Sequence, residues 1–424
     1  MVSTDVHDEL HARAIVLEDG ATRLALVVVD NCLLPRSVCD AAKVRIQIKT
    51  QLAPSQVLIS ATHTHSAGSV ATVHLSDADV SYAHWLPDRI ADAVVRAIHR
   101  LAPAEIAWGR GALPQHVFCR RVTTRADVPY VNQMGDSPVR AKMNWDSPHP
   151  ADGNPTGPVD PDLSLLAIRH LDGRPLALLA NYSLHYVGDG VSGDLSADYF
   201  GVFCERMTSL LGAEKQDPPF VAVMSNGTSA DINNNDYRNP KPATAPYTRI
   251  RQVAEDAAQE AMRVMKGMTY RSAAPLQVIN EELTLGVRKP SIAEVERARV
   301  MVSDSAIRKT VWLNIRARDT VFLSEQPDTI SVPLQVIGLG EWRIAAWPGE
   351  IFAVSGLRLK ERVGAGTLFN VSLANGWFGY IPPPEQHELG AYETFRLRTS
   401  FLETNATVKL TDRLAEMVEK LRVR

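Results

Sequence analysis

The chain has 424 residues, 45% apolar and 22% charged, and its 45 Lys and Arg against 48 Asp and Glu leave a net charge of −3. These are the proportions of a globular protein, and without a basic block nucleic-acid binding has no electrostatic footprint. Four cysteines outside any CxxC pair signal neither a disulfide scaffold nor a zinc finger, and no apolar run reaches the roughly 20 residues that span a bilayer. Residues 1–8 are polar and hold no signal-peptide core. As written the chain reads as cytoplasmic; a secreted or periplasmic protein with its leader trimmed reads the same way.

Residues 10–17 and 23–29 form a predicted antiparallel pair around the Asp19-Gly20 turn. The second strand is apolar on both faces, as in a covered sheet. It ends at Asp30, a carboxylate that either orients a neighbour or caps the next turn. A helix over 38–51 leads to an apolar run from Val57, a βαβ pattern. That run ends in His63-Thr64-His65-Ser66. Strand alternation puts His63 and His65 on one face, at the strand end where open α/β sheets bind ligands. The pair is either a metal ligand with a proton relay or two surface histidines.

A helix over 81–101 and a short strand over 105–108 follow. Arg120-Arg121 is either a clamp for an anionic or carbonyl group or a solvated face. Residues 130–161, rich in Pro, Gly, Asp and Asn, form a long irregular segment of the kind that carries function. Strands over 163–170 and 175–182 pair around Asp172-Gly173, and the second delivers His185. After a polar loop, a helix runs from Asp198 to about residue 211. A strand over 220–224 opens into a small polar loop from Ser225 to Asn233, whose backbone amides can face a ligand. Helices are expected over 248–266 and 291–307, with a strand over 277–285 between them. A hairpin over 329–347 ends just before Glu350. Glu350 then lies near a helix N-terminus, where a carboxylate is favoured, as a cap or as a site residue. That helix runs to about 363, a last strand covers 369–373, and a turn-rich loop carries Tyr380. The predicted fold class is α/β, a mixed central sheet covered by helices with a metal site at the strand C-terminal ends.

His63, His185, Glu350 and Tyr380 each follow the end of an apolar strand. Two imidazoles, a carboxylate and a phenol make a zinc shell with one position left for water. Read together, Ser60-Ala-Thr-His-Thr-His-Ser66, Asn181-Tyr-Ser-Leu-His185, Asn226-Gly-Thr-Ser-Ala-Asp-Ile-Asn233, Pro348-Gly-Glu-Ile-Phe352, and Gly379-Tyr380 with Tyr392-Glu393 resemble the neutral/alkaline (non-lysosomal) ceramidase family. The motifs occur in the family's order and span nearly the whole chain.

The resemblance implies one zinc-hydrolase catalytic domain over 1–424, with the chain stopping about where the family's C-terminal β-sandwich would begin. It implies Zn2+ held by His63, His185, Glu350 and Tyr380. His65 would move a proton, and Arg120 and Tyr392 would hold an oxyanion. Asn226, Gly227, Ser229 and Asn233 would contact substrate. The implied reaction is hydrolysis of a lipid-like N-acyl amide. The family's loop serine is replaced by Asn233, and Ala67-Gly68-Ser69-Val70 and Thr394-Phe-Arg-Leu-Arg398 depart from its pattern. A serine acyl-enzyme is therefore not expected. These departures strike the parts that meet substrate and keep two alternatives open. One is a zinc hydrolase of the same fold acting on another amide, ester or lactone. The other is a non-catalytic metal-binding protein, against which His65, Arg120 and Tyr392 argue.

Overall fold

The computed structural model describes residues 3–136, 138–143, 149–150, 152–240, 242–364 and 366–422. Its strands form three principal sheets rather than the expected single central one. In the first, Ala12–Glu18 pairs antiparallel with Arg23–Val29, which pairs parallel with Val57–Ala61. The predicted turn is built as expected: Asp19 accepts the Ala21 and Thr22 N–H groups, and Gly20 takes φ +89°. The second sheet orders Val221–Asn226, Pro175–Tyr182, Asp162–His170 and Ala104–Ala112. The third orders Leu276–Gly286, Thr329–Leu339, Trp342–Ala346 and Leu368–Val371.

Period-two alternation explains why these strands are apolar on both faces. Leu24, Leu26 and Val28 of the first sheet meet Leu166 and Leu179 of the second and Ile337, Ile344 and Phe369 of the third in one shared core. The alternate residues face outward onto helices. Ala25 and Val27 lie under Arg36–Thr50 and Val80–His99. Leu165 and Leu178 lie under Asp198–Leu210 and Thr248–Met265. Val336 and Ala345 lie under Ala353–Val363 and Ala406–Arg422. One core thus locks three sheets together, and their strand ends converge on one place.

Two long helices were not expected, nor was the short one Pro384–Leu389. Val311–Glu325 hides its period because a charged residue, Asp319, sits fully buried in its inward stripe, paired with Arg398. Ala406–Arg422 has a plain stripe of Leu410, Leu414, Val418 and Leu421, all buried. The irregular segment over 130–161 contains the short strands Ala141–Met143 and Asp152–Pro155, which flank Arg121–Thr124. Its Met134 packs on Ile315 and Leu397, while residues 137, 144–148 and 151 lie outside the described part. Among the described residues no helix is long and apolar enough to cross a membrane.

Candidate metal and active site

The strand Val57–Ala61 stops short of the two histidines it was expected to carry. Thr62 N–H bonds back to Val29 O and His63 N–H to Asn31 O, each at 2.9 Å, and His63 turns to φ +78°. This turn, not strand alternation, brings the two imidazoles together, edge to face at 4.7 Å between centroids. It also separates their environments: His63 is 2% exposed, whereas His65 opens to solvent. Asp30, at the end of the preceding strand, is used to anchor Arg13 and the His11 N–H. Its neighbour Asn31 is the residue that positions His63.

His185 follows the strand Pro175–Tyr182 and is likewise buried. The Asp198 carboxylate fixes the chain after it by accepting the Val187 and Gly188 N–H groups at 3.1 and 2.9 Å. Asn226 joins the two histidine-bearing strand ends, donating through Nδ2 to Thr62 O and Leu184 O. Its Oδ1 accepts from Ser229 Oγ at 2.7 Å. Gly227 packs against Ser183, where a Cβ would meet the Ser183 backbone at 3.0 Å. Asn226, Gly227 and Ser229 therefore spend their contacts on the frame beneath the histidines. Asn233 is half-buried in a bridge with Phe118, and its Oδ1 accepts the Asn235 N–H.

Glu350 lies three residues before the helix Ala353–Val363, near a helix N-terminus as expected. It sits in a two-residue strand, Glu350–Ile351, in register with Tyr380–Ile381, so that Glu350 and Tyr380 stand side by side. The following helix begins at Ala353, and its first N–H is taken by Asp231 Oδ1 at 2.8 Å. Trp377 Nε1 donates to Glu350 Oε1 at 3.1 Å. Gly379, at φ +76°, lets the chain reach this register, and a Cβ there would stand 2.5 Å from Thr399 O. Gly379→Ala, which at a compatible site would gain ~0.4–1 kcal/mol, is therefore expected to lower stability by more than that, read as a shifted denaturant midpoint, and to displace Tyr380.

The donor set itself suits a cation. His63 Nδ1 lies 2.6 Å from Cys32 O and His185 Nδ1 lies 3.0 Å from Ser229 O. Each Nδ1 carries hydrogen to donate to a carbonyl, so in the neutral ring Nε2 is the lone pair. Those two Nε2 atoms face each other at 3.0 Å, and Glu350 Oε2 lies 3.3 Å from His63 Nε2. Glu350 Oε2 is buried and has no hydrogen-bond partner among the described residues. Two imidazole nitrogens and a carboxylate oxygen thus converge within 4.8 Å of one another. Burial pushes the His63 imidazole down, but the Glu350 carboxylate overrides it and lifts the net value well above the usual histidine range. Burial likewise opposes the Glu350 charge, and His63 holds it low. The three groups together are compatible with a bound cation. Cys32, His63 and His65 also bring ligand atoms together, but His63 Nδ1 is already committed to the Cys32 carbonyl.

Around this triad sit the remaining expected residues. Arg120, 5% exposed, donates through Nη2 to Tyr380 Oη at 3.2 Å and through Nε to Glu393 Oε1 at 3.0 Å. Arg121 is fully buried and bound to Glu393 Oε2, Gly390 O and Gln386. The arginine pair therefore has its own internal anion, Glu393, and only Arg120 reaches the site. The Tyr392 ring stands 5.6 Å from that of Tyr380. Burial raises the Tyr392 phenol far above its usual range, so the group stays protonated and a donor. His65 Nε2 lies 3.3 Å from His63 Nε2, and its ring stacks flat on Tyr186 at 3.7 Å. Burial first, then positive charge at His63 and Arg120, push His65 well below the usual range. Its exposed edge lets water offset part of the burial, and the cationic neighbours keep the direction.

Sequence reasoning did not single out Asn31, Cys32, Trp377 or Tyr186, and it gave Glu393 no role. The first two act largely through backbone carbonyls, which any residue type supplies. Trp377 and Glu393 act across the fold on partners far away in sequence.

No family model matches this sequence, and no curated protein sequence matches it. Solved structures do. One is the neutral ceramidase from Pseudomonas aeruginosa, with 16% identity and a TM-score of 0.72 over 99% of this chain and 70% of that one. Another is a ceramidase complexed with C2, with 18% identity and a TM-score of 0.74 over 99% of this chain and 71% of that one. The chain has the fold of these enzymes.

Proposed function

We propose that this protein is a zinc-dependent amidase that hydrolyses a lipid-like, ceramide-type N-acyl amide. The observation that carries the reading is the convergence of His63, His185 and Glu350, with Tyr380 in register beside them. The fold shared with ceramidases supports it. His63, His185, Glu350 and Tyr380 would hold the ion. When bound, zinc supplies Lewis acidity that brings the pKa of water from about 16 towards about 7 and polarises the amide carbonyl.

The chain's own residues do the rest. His65, held neutral and open to solvent, accepts the proton of the attacking water and returns it to the departing amine as the C–N bond breaks. Arg120 and the Tyr392 hydroxyl donate to the oxyanion that develops on the carbonyl oxygen. A groove of about 2570 Å³ opens at His65 and Tyr186 and runs along the helix Val80–His99, with Leu75, Tyr82, Trp85 and Leu86 in its wall. It reaches His65 but not the buried ligand atoms, the layout expected when a long apolar chain lies outside and only its amide enters.

The deciding experiment pairs metal analysis of the purified chain with hydrolysis of a short-chain fluorogenic N-acyl-sphingosine. The reading requires about one zinc per chain together with turnover. Zinc without turnover favours the second reading, another amide, ester or lactone on the same site, which the departures around Ala67–Val70 and Thr394–Arg398 already suggest. Absence of metal would sink both. His65→Ala is expected to keep its metal and lose ~10²–10⁴-fold in rate; unchanged turnover would remove the proton-transfer role.

A further inference from the structure

His74 lies outside every motif that drew attention to the chain, yet it touches the site. It sits in a tight reversal where Val73 and Ser76 exchange both backbone hydrogen bonds at 3.0 Å, and it takes φ +54°. A positive φ is uncommon outside glycine, and histidine is among the side chains that adopt it more readily. The ring reaches back so that Nε2 lies 2.9 Å from Tyr392 Oη, and Trp312 packs edge-on against both rings, at 5.6 Å from His74 and 5.8 Å from Tyr392.

The other ring nitrogen decides the direction of that hydrogen bond. His74 Nδ1 is buried and meets no hydrogen-bond partner among the described residues. A buried N–H without an acceptor is among the rarest arrangements in folded proteins, whereas an unfilled acceptor is tolerated more often. The single proton of the neutral ring therefore belongs on Nε2. Burial holds His74 below the usual histidine range, which keeps the ring neutral against the nearby Asp319 carboxylate.

We infer that His74 is a positioning residue that donates from Nε2–H to Tyr392 Oη and so leaves the Tyr392 hydroxyl hydrogen for an acceptor in the site. The opposite polarity would turn that hydrogen towards His74 and away from any oxyanion. The consequence for rate rests on the reading of Tyr392 as an oxyanion donor; the polarity of the bond does not.

Two measurements test this separately. In long-range 1H–15N correlation spectra of the intact protein, the His74 ring, assigned by its loss in His74→Gln, should show hydrogen on Nε2 and a bare Nδ1. Hydrogen on Nδ1, or on both, would overturn the assignment whatever the enzyme hydrolyses. In turnover assays with the N-acyl-sphingosine, His74→Leu should lower kcat by about tenfold or more with KM and metal content held, somewhat less than the loss of an oxyanion donor itself. His74→Gln carries the same backbone strain but keeps an N–H donor, and should recover most of the rate. Equal rates in His74→Leu and the parent, or no recovery in His74→Gln, would overturn the positioning role. A parent that turns over no amide fails the proposed function, while the spectra still decide the polarity.

Discussion

His185→Ala is expected to purify with little metal and to lose essentially all turnover, while its far-UV spectrum stays that of the parent. Outer partners of a metal site typically cost ~10–100-fold in affinity when removed, and a ligand must cost more. The comparison is built into the fold. Trp377→Phe removes only the N–H donated to Glu350 Oε1 and should fall within that outer-partner range. His185→Ala removes one of three converging groups and leaves His63 and Glu350 facing each other alone. Inductively coupled plasma analysis after equal loading and washing reads the difference. If His185→Ala kept full zinc, the converging groups would not be the metal site.

The reason His185 and Glu350 could be picked out from sequence is local. Each follows an apolar run long enough to be a buried strand, and strand ends are where such sheets expose functional groups. What sequence could not show was the joint. Reading Arg23–Val29 as apolar on both faces was correct, but nothing in one strand says whether its second face meets a helix or another sheet. Here it meets two other sheets, and that is why the site draws on three. The strand rule also reached the His63–His65 pairing by the wrong route: Asn31 O captures His63 N–H and bends the chain out of the strand. Glu350 lies near the helix N-terminus as expected, but as a site residue rather than the cap. Asp231, far away in sequence, takes the helix N–H that a local reading assigned to the glutamate.

Glu393→Leu should be the most destabilising single change outside the shared core. Glu393 is fully buried and answers two buried guanidinium groups, Arg120 at 3.0 Å and Arg121 at 2.5 Å. Removing the carboxylate strands both positive charges in the interior, a loss of ~3–5 kcal/mol against a total stability of ~5–15 kcal/mol. Glu393→Gln keeps two hydrogen-bonding atoms in place and should cost less. Denaturant unfolding of both variants measures this, and a Glu393→Leu midpoint indistinguishable from the parent would show that the arginines find other partners. Activity should fall with stability in Glu393→Leu, because Arg120 is held against Tyr380 from the same carboxylate.

Because the strands leading towards His63, His185 and Glu350 belong to three sheets clamped on one core, the alignment tolerance of the site is set far from it. Metal–ligand distances tolerate only about ±0.2 Å, and a packed interior passes small shape changes onward rather than absorbing them. Leu26, Leu179 and Ile344 each belong to a different one of these sheets and pack in the same shared core. A methyl group gained or lost at one of them shifts one sheet against the other two, and so one ligand against its partners. These aliphatic side chains lie outside the site and yet set the spacing of the groups within it.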